Sequence, residues 1–345
     1  MAHIIRSARD PGWFAAGNAV SLLSVTQNAR QGYIRPRDTP RQCPAAFLAG
    51  LILPHQEMTD GPMGKFWPMS SPFATRSEPL VGARLYHRPM PGSTTAAGAW
   101  FTLRRRTTIY PPEPAGRPGI CAVCRGPARP GYARCYQCSQ HDLLGPGLLA
   151  DAVVPISYAV KGTAFAVSLW RYKSWRSPDP AARTALLTLL LTFLHDHGRC
   201  VWRHAGMPAP GRLAVVPTGC GRPGPHPLLA MAGPYLRLPR TGLAIRPGEQ
   251  GRDPNPDRFI AERSGPGAVL LLDDSWVSGA SAQSAAAALK RAGARHVAVV
   301  VLGRHVDPAD RLSAPLAARL APSGYDPDRC AVHPSDTAVP DPSGS

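Results

Sequence analysis

Two groups of residues have types and spacings that could do chemistry. The first is "CAVCRGPARPGYARCYQC", which sets Cys121 and Cys124, then ten residues, then Cys135 and Cys138. Two C-x2-C knuckles supply four thiolates, the donor set of a tetrahedral zinc site, and Gly126, Pro130 and Gly131 between them let the chain double back. With every position filled by protein, such a site would be closed and structural. Two disulfides are the competing use of the same cysteines. The second group is "VLLLDDSWVSGAS", residues 269–281, where an apolar run stops at Asp273 and Asp274 and a loop of small and hydroxyl residues follows. Adjacent carboxylates beside a loop that opens a helix suit a ligand carrying both hydroxyls and a phosphate. The helix N-terminus and the hydroxyls of Ser278 and Ser281 would meet the phosphate, and the acids would meet a diol or a divalent metal. The plainer alternative is a strand–loop–helix in which Asp274 caps the helix and Asp273 has no role.

These residues need elements to hold them. "AVVPISYAV", "LAVVP" (213–217), "AVLLL" (268–272) and "HVAVVVLG" (296–303) are short and apolar on both faces, as buried parallel strands are. "TALLTLLLTFLHDHG" reads as a helix ending near Gly198. Thr184, Thr188 and Thr192 draw one polar line along it. "SAQSAAAALKRAG" reads as a helix closed by Gly293. Strands alternating with helices imply an α/β fold with a parallel sheet covered on both sides. In such a sheet ligands bind beyond the carboxyl ends of the strands, where Asp273 and Asp274 fall.

The stretch "VLLLDDSWVSGAS" resembles the phosphoribosyl-diphosphate (PRPP) motif of type I phosphoribosyltransferases. The cysteine knuckles ahead of it are similar to those of the ComF-like, amidophosphoribosyltransferase-like branch. "YAVKGTAFAVSLWRYK" (158–173) resembles the stretch preceding that branch's core, "AVVPTGCGRPGPHPL" (214–228) occupies the place of its Val-Pro loop, and "RDPNPDRF" (252–259) is similar to a segment near its mobile loop. The resemblance covers roughly residues 118–305. It implies that Asp273 and Asp274 hold the ribose hydroxyls and that Val277, Ser278, Gly279, Ala280 and Ser281 hold the 5′-phosphate. Gly219, Gly221 and Arg222 would contact pyrophosphate, with Lys161 or Lys173 as further contacts. The implied reaction is displacement of pyrophosphate from ribose C1′ with Mg2+ as cofactor, beside a structural Zn2+. Val277 stands where the family usually has Thr or Ser, Trp276 replaces an aliphatic residue, and the branch's "RGFN" stretch is missing. A non-catalytic protein that binds PRPP or a nucleotide, or assists DNA uptake, is therefore carried as the second hypothesis.

The bulk composition bounds the rest. The 40 prolines and 33 glycines take up over a fifth of the 345 residues, a share expected where part of a chain is unfolded. We expect a disordered Pro/Arg-rich leader over 1–115, a zinc-ribbon-like module over 116–145, the phosphoribosyltransferase-like domain over 146–320 and a flexible tail over 321–345. Cys330 and His333, in "CAVH", and His141 are spare donors that could substitute in or support the zinc site. The net charge of +17 invites a nucleic-acid partner such as single-stranded DNA, but it is spread along the chain and only four of the 39 basic residues are lysines. The longest apolar segment, "ALLTLLLTFL", is too short to span a bilayer, and no signal-peptide pattern is seen, so a cytoplasmic protein without membrane contact, and a homo-oligomer at most, is expected.

Overall fold

The first strand, β1 (Ala152–Val160), is buried along its whole length, as a strand apolar at nearly every position is expected to be. It is the edge of a four-stranded, all-parallel sheet in the order β1-β6-β5-β2, with β2 at Arg212–Val215, β5 at Ala268–Trp276 and β6 at His296–Val306. A two-stranded antiparallel hairpin, β3 (Leu243–Ile245) with β4 (Phe259–Ala261), lies between β2 and β5 in the chain. The computed structural model describes residues 109–174, 177–218, 225–249, 251, 253–321, 325–326 and 328–332. The leader expected over 1–115 thus lies outside the described residues as far as 108, and so do Gly219, Gly221, Arg222 and His333.

Alternation along the strands sends successive side chains into two cores. Val154, Ile156, Leu213, Leu270, Leu272 and Val300 face one side, with α2 (Ala164–Arg171), α3 (Pro180–His204) and α4 (Pro227–Leu236). Val153, Ala214, Val269, Leu271, Val299 and Val301 face the other, with α5 (Ala280–Arg291) and the cysteine-rich segment that carries α1 (Tyr136–Gln140). The alanine-rich face of α5, with Ala282, Ala285 and Ala286 fully buried, lets that helix lie close on the sheet.

Three expectations shift. Helix α3 begins at Pro180 rather than near Thr184, because Asp179 caps it by accepting from the Ala181 and Ala182 amides and proline suits the first turn. The threonine line is interior: Thr188 and Thr192 are buried, and the Thr188 hydroxyl donates to the Thr184 carbonyl one turn back (2.8 Å). The ends also differ. Ile109 is in the core, and the Tyr110 carbonyl accepts from the Tyr158 amide (2.8 Å), so the fold reaches into the segment assigned to the leader. Tyr325, Cys330 and Ala331, assigned to the tail, are buried against α3.

Candidate functional site

Strand β5 runs one residue pair past Asp273 and Asp274, ending at Trp276, and Gly279 turns the chain into α5 from the left-handed region (φ +83°). A Cβ at Gly279 would run into the Trp276 indole, so both the backbone angle and the space demand glycine. Trp276 is buried beneath the loop, and His141 meets it edge-on (5.8 Å between ring centroids) while donating from Nε2 to the Ser278 carbonyl (3.0 Å). Burial lowers the His141 pKa, which favours the neutral ring. His141 therefore ties the end of the cysteine-rich segment to the loop that opens α5. It is not a cysteine-cluster donor. Val277 points outward and is exposed, whereas the Ser278 hydroxyl accepts from the Ala280 amide (3.4 Å).

The two aspartates sit in opposite surroundings. Burial and the charge of Asp274 push Asp273 up to about 8; its carboxylate accepts from the Asp274 amide (2.9 Å). Burial would raise Asp274 as well, but Lys173 and the Tyr172 hydroxyl outweigh it and hold Asp274 below the usual carboxylate range. Tyr172 donates to Oδ2 at 2.6 Å, and Lys173 Nζ reaches both oxygens at 2.9–3.0 Å. Asp274 thus does not cap α5, as the plainer reading of the sequence would have it. Lys161, the other lysine singled out, pairs with Asp307 at 2.8 Å instead.

Strand β2 is the hydrogen-bonded neighbour of β5, with Val215 opposite Leu272. After β2 the chain feeds α4 on one face, and after β5 it feeds α5 on the other, so the carboxyl ends of these strands flank a topological switch point. A cleft of about 430 Å³ opens beside β2, lined by Val215, Pro217, Thr218, His226, Arg240 and Glu262 and, among the described residues, by none of β5. His226 lies close enough to Asp274 to help lower its pKa. The sequence predicted the two acids at the carboxyl end of a buried strand, and both lie near the end of β5. It missed Arg240 and Glu262, which carry no motif, and gave no role to Tyr172, which lies within the 158–173 stretch.

The cysteine quartet forms a second centre. Cys121, Cys124, Cys135 and Cys138 are all buried, and their sulfur atoms lie within 4.8 Å of one another. Cys124 and Cys135 are 3.8 Å apart. Bonds of about 2.3 Å to one tetrahedral ion space thiolates about 3.8 Å apart, so the donors fit a metal of that kind. Hydrogen bonds from Cys124, Cys135 and Cys138 hold Cys121 well below an ordinary thiol, whereas hydrogen bonding to Cys121, Cys124 and Cys135 pushes Cys138 well above one. Two buried arginines adjoin the cluster. Burial would lower Arg304, but the sulfur atoms of Cys124 and its neighbours raise it, and its side chain donates to the carbonyls of Trp276 (3.1 Å) and His305 (2.6 Å). Arg125 donates to Ala331 O at 2.9 Å. Two buried guanidinium groups would complement the net double negative charge of four thiolates around a divalent ion, were one bound.

No family model matches the chain, and neither a curated protein nor a solved structure does.

Proposed function

We propose that the chain is a phosphoribosyltransferase-like protein that binds PRPP, or another ribose 5-phosphate ligand, at the crevice between β2 and β5. The observation that carries this reading is the placement of Asp273 and Asp274 at a switch point, directly ahead of a left-handed glycine and the N-terminus of a twelve-residue helix. The 5′-phosphate sits on the amides and hydroxyls of residues 277–281, where the helix dipole favours negative charge. The ribose diol reaches the carboxyl groups, and Asp273 is the better placed for it because Asp274 already holds Tyr172 and Lys173. Lys173 is half-buried beside the acids, where it would meet the pyrophosphate. Magnesium would arrive with the pyrophosphate and neutralise it as it leaves ribose C1′. In that step the C1′–O bond to pyrophosphate breaks and a bond to the acceptor nucleophile forms, with the acceptor proton passing to solvent. The cleft at Val215, Arg240 and Glu262 offers room for the acceptor. In this reading the cysteine quartet holds one structural zinc through Cys121, Cys124, Cys135 and Cys138.

The exposed aliphatic side chain of Val277 favours a second reading, in which the same site binds the ligand without turnover, because it removes a hydroxyl from the phosphate loop. Calorimetry with Mg–PRPP, ribose 5-phosphate and glycerol phosphate tests the binding, and a pyrophosphate-release screen against bases, amines and ammonia separates the two readings. Mg–PRPP is expected to bind and glycerol phosphate to bind poorly. Failure of both PRPP and ribose 5-phosphate to bind at millimolar concentration would refute the assignment.

A further inference from the structure

The tail-side cysteine that the sequence offered as a spare donor for the quartet lies elsewhere. Cys330 meets His197 and Cys200 of α3, and the three donor atoms lie within 4.8 Å of one another. His197 and Cys200 are three apart on one helix, the spacing that puts two side chains on the same face. His197 and Cys330 are buried and Cys200 is half-buried. The His197 ring is walled by Phe193 (5.3 Å between centroids) and Tyr325 (6.3 Å), and the Tyr325 hydroxyl donates to Asp196 Oδ2 (3.0 Å). On the far side, Arg125 Nε donates to the carbonyl of Ala331, the residue after Cys330. Tyr325 is thus fastened to α3 and Ala331 to the cysteine-rich segment, with two sulfurs and one imidazole between.

We propose that His197, Cys200 and Cys330 form a second zinc site, separate from the quartet, which pins residues 328–332 onto α3. Two thiolates and an imidazole suit zinc, and three protein donors leave a fourth position for water or an added ligand. Bonds of about 2.1–2.3 Å space such donors about 3.5–3.8 Å apart, so side-chain rotations within the pocket close the set. On binding, each thiol gives its proton to solvent and the imidazole coordinates in its neutral form. The site lies on the opposite face of the sheet from the quartet and owes nothing to the PRPP reading.

The test is a zinc count on the full chain purified with reductant, by native mass spectrometry and elemental analysis. Wild type should carry two zinc ions, and Cys200→Ser and Cys330→Ser one each. Replacement of zinc by cobalt gives a second measure: absorption of thiolate-to-cobalt charge transfer should correspond to six thiolates per chain in wild type and should fall to four in Cys200→Ser. One zinc or none in wild type, four cobalt thiolates in wild type, or a count unchanged by both substitutions overturns the proposal.

Discussion

Asp273 and Asp274 are adjacent in the chain yet should respond in opposite directions when neutralised. Asp273 has its folded pKa raised, so the folded state favours its protonated form, and its stability contribution falls as pH rises from about 4 towards 8. Asp273→Asn should therefore stabilise the protein by about 1–3 kcal/mol at pH 8 and by little at pH 4, as read from urea midpoints. The same substitution should weaken PRPP binding by about 1–3 kcal/mol, the loss expected for a charged acceptor. Asp274 is held below the usual range, so its contribution is present above the unfolded pKa and is lost as pH falls. Asp274→Asn should destabilise by about 1–3 kcal/mol at pH 7, because it leaves Lys173 without its partner. If both substitutions moved stability the same way at pH 8, the opposite electrostatics of the two carboxyls would be wrong.

The loop between β5 and α5 is supported from below. Gly279→Ala combines a left-handed backbone with a side chain driven into Trp276, and should cost about 2–4 kcal/mol in denaturant unfolding. His141→Ala removes a hydrogen bond to Ser278 and the edge contact with Trp276, and should cost about 1–2 kcal/mol. Hydrogen exchange should then rise at residues 277–280 before it rises in β5. Uniform exchange across β5 and the loop would show that His141 supports the element as a whole and not the loop.

Two tests belong to the whole molecule. If the quartet holds the proposed zinc, removing it should loosen the cysteine-rich segment and, through His141, the loop at 277–279. PRPP affinity should therefore fall after metal extraction although no cysteine touches the ligand site. Unchanged affinity in metal-depleted, folded protein would argue against that coupling. A chain starting at residue 116 should be less stable than one starting at residue 109 by about 2–4 kcal/mol. It lacks the buried Ile109 side chain and the Tyr110 backbone hydrogen bonds to Ser157 and Tyr158.

The α/β class was legible in the strands themselves, because segments apolar on both faces are stable only inside a covered parallel sheet. The cysteine quartet was legible for a similar reason. Its donors lie within eighteen residues, so knuckle spacing alone brings them together. The carboxylate-to-helix turn was legible too, since Gly279 has to take the left-handed conformation that the turn needs. Tertiary structure alone decided the rest. Lys173 meets Asp274 across 101 positions, and His141 meets Ser278 across 137, contacts that exist only once β5 has been laid between β6 and β2. Cys330 joins α3 and not the quartet because Tyr325 and Ala331 are apolar enough to be buried there. Local pattern sets which residues become strand, helix or knuckle; packing sets which of those elements become neighbours, and partners so far apart in the chain leave no local periodicity to read.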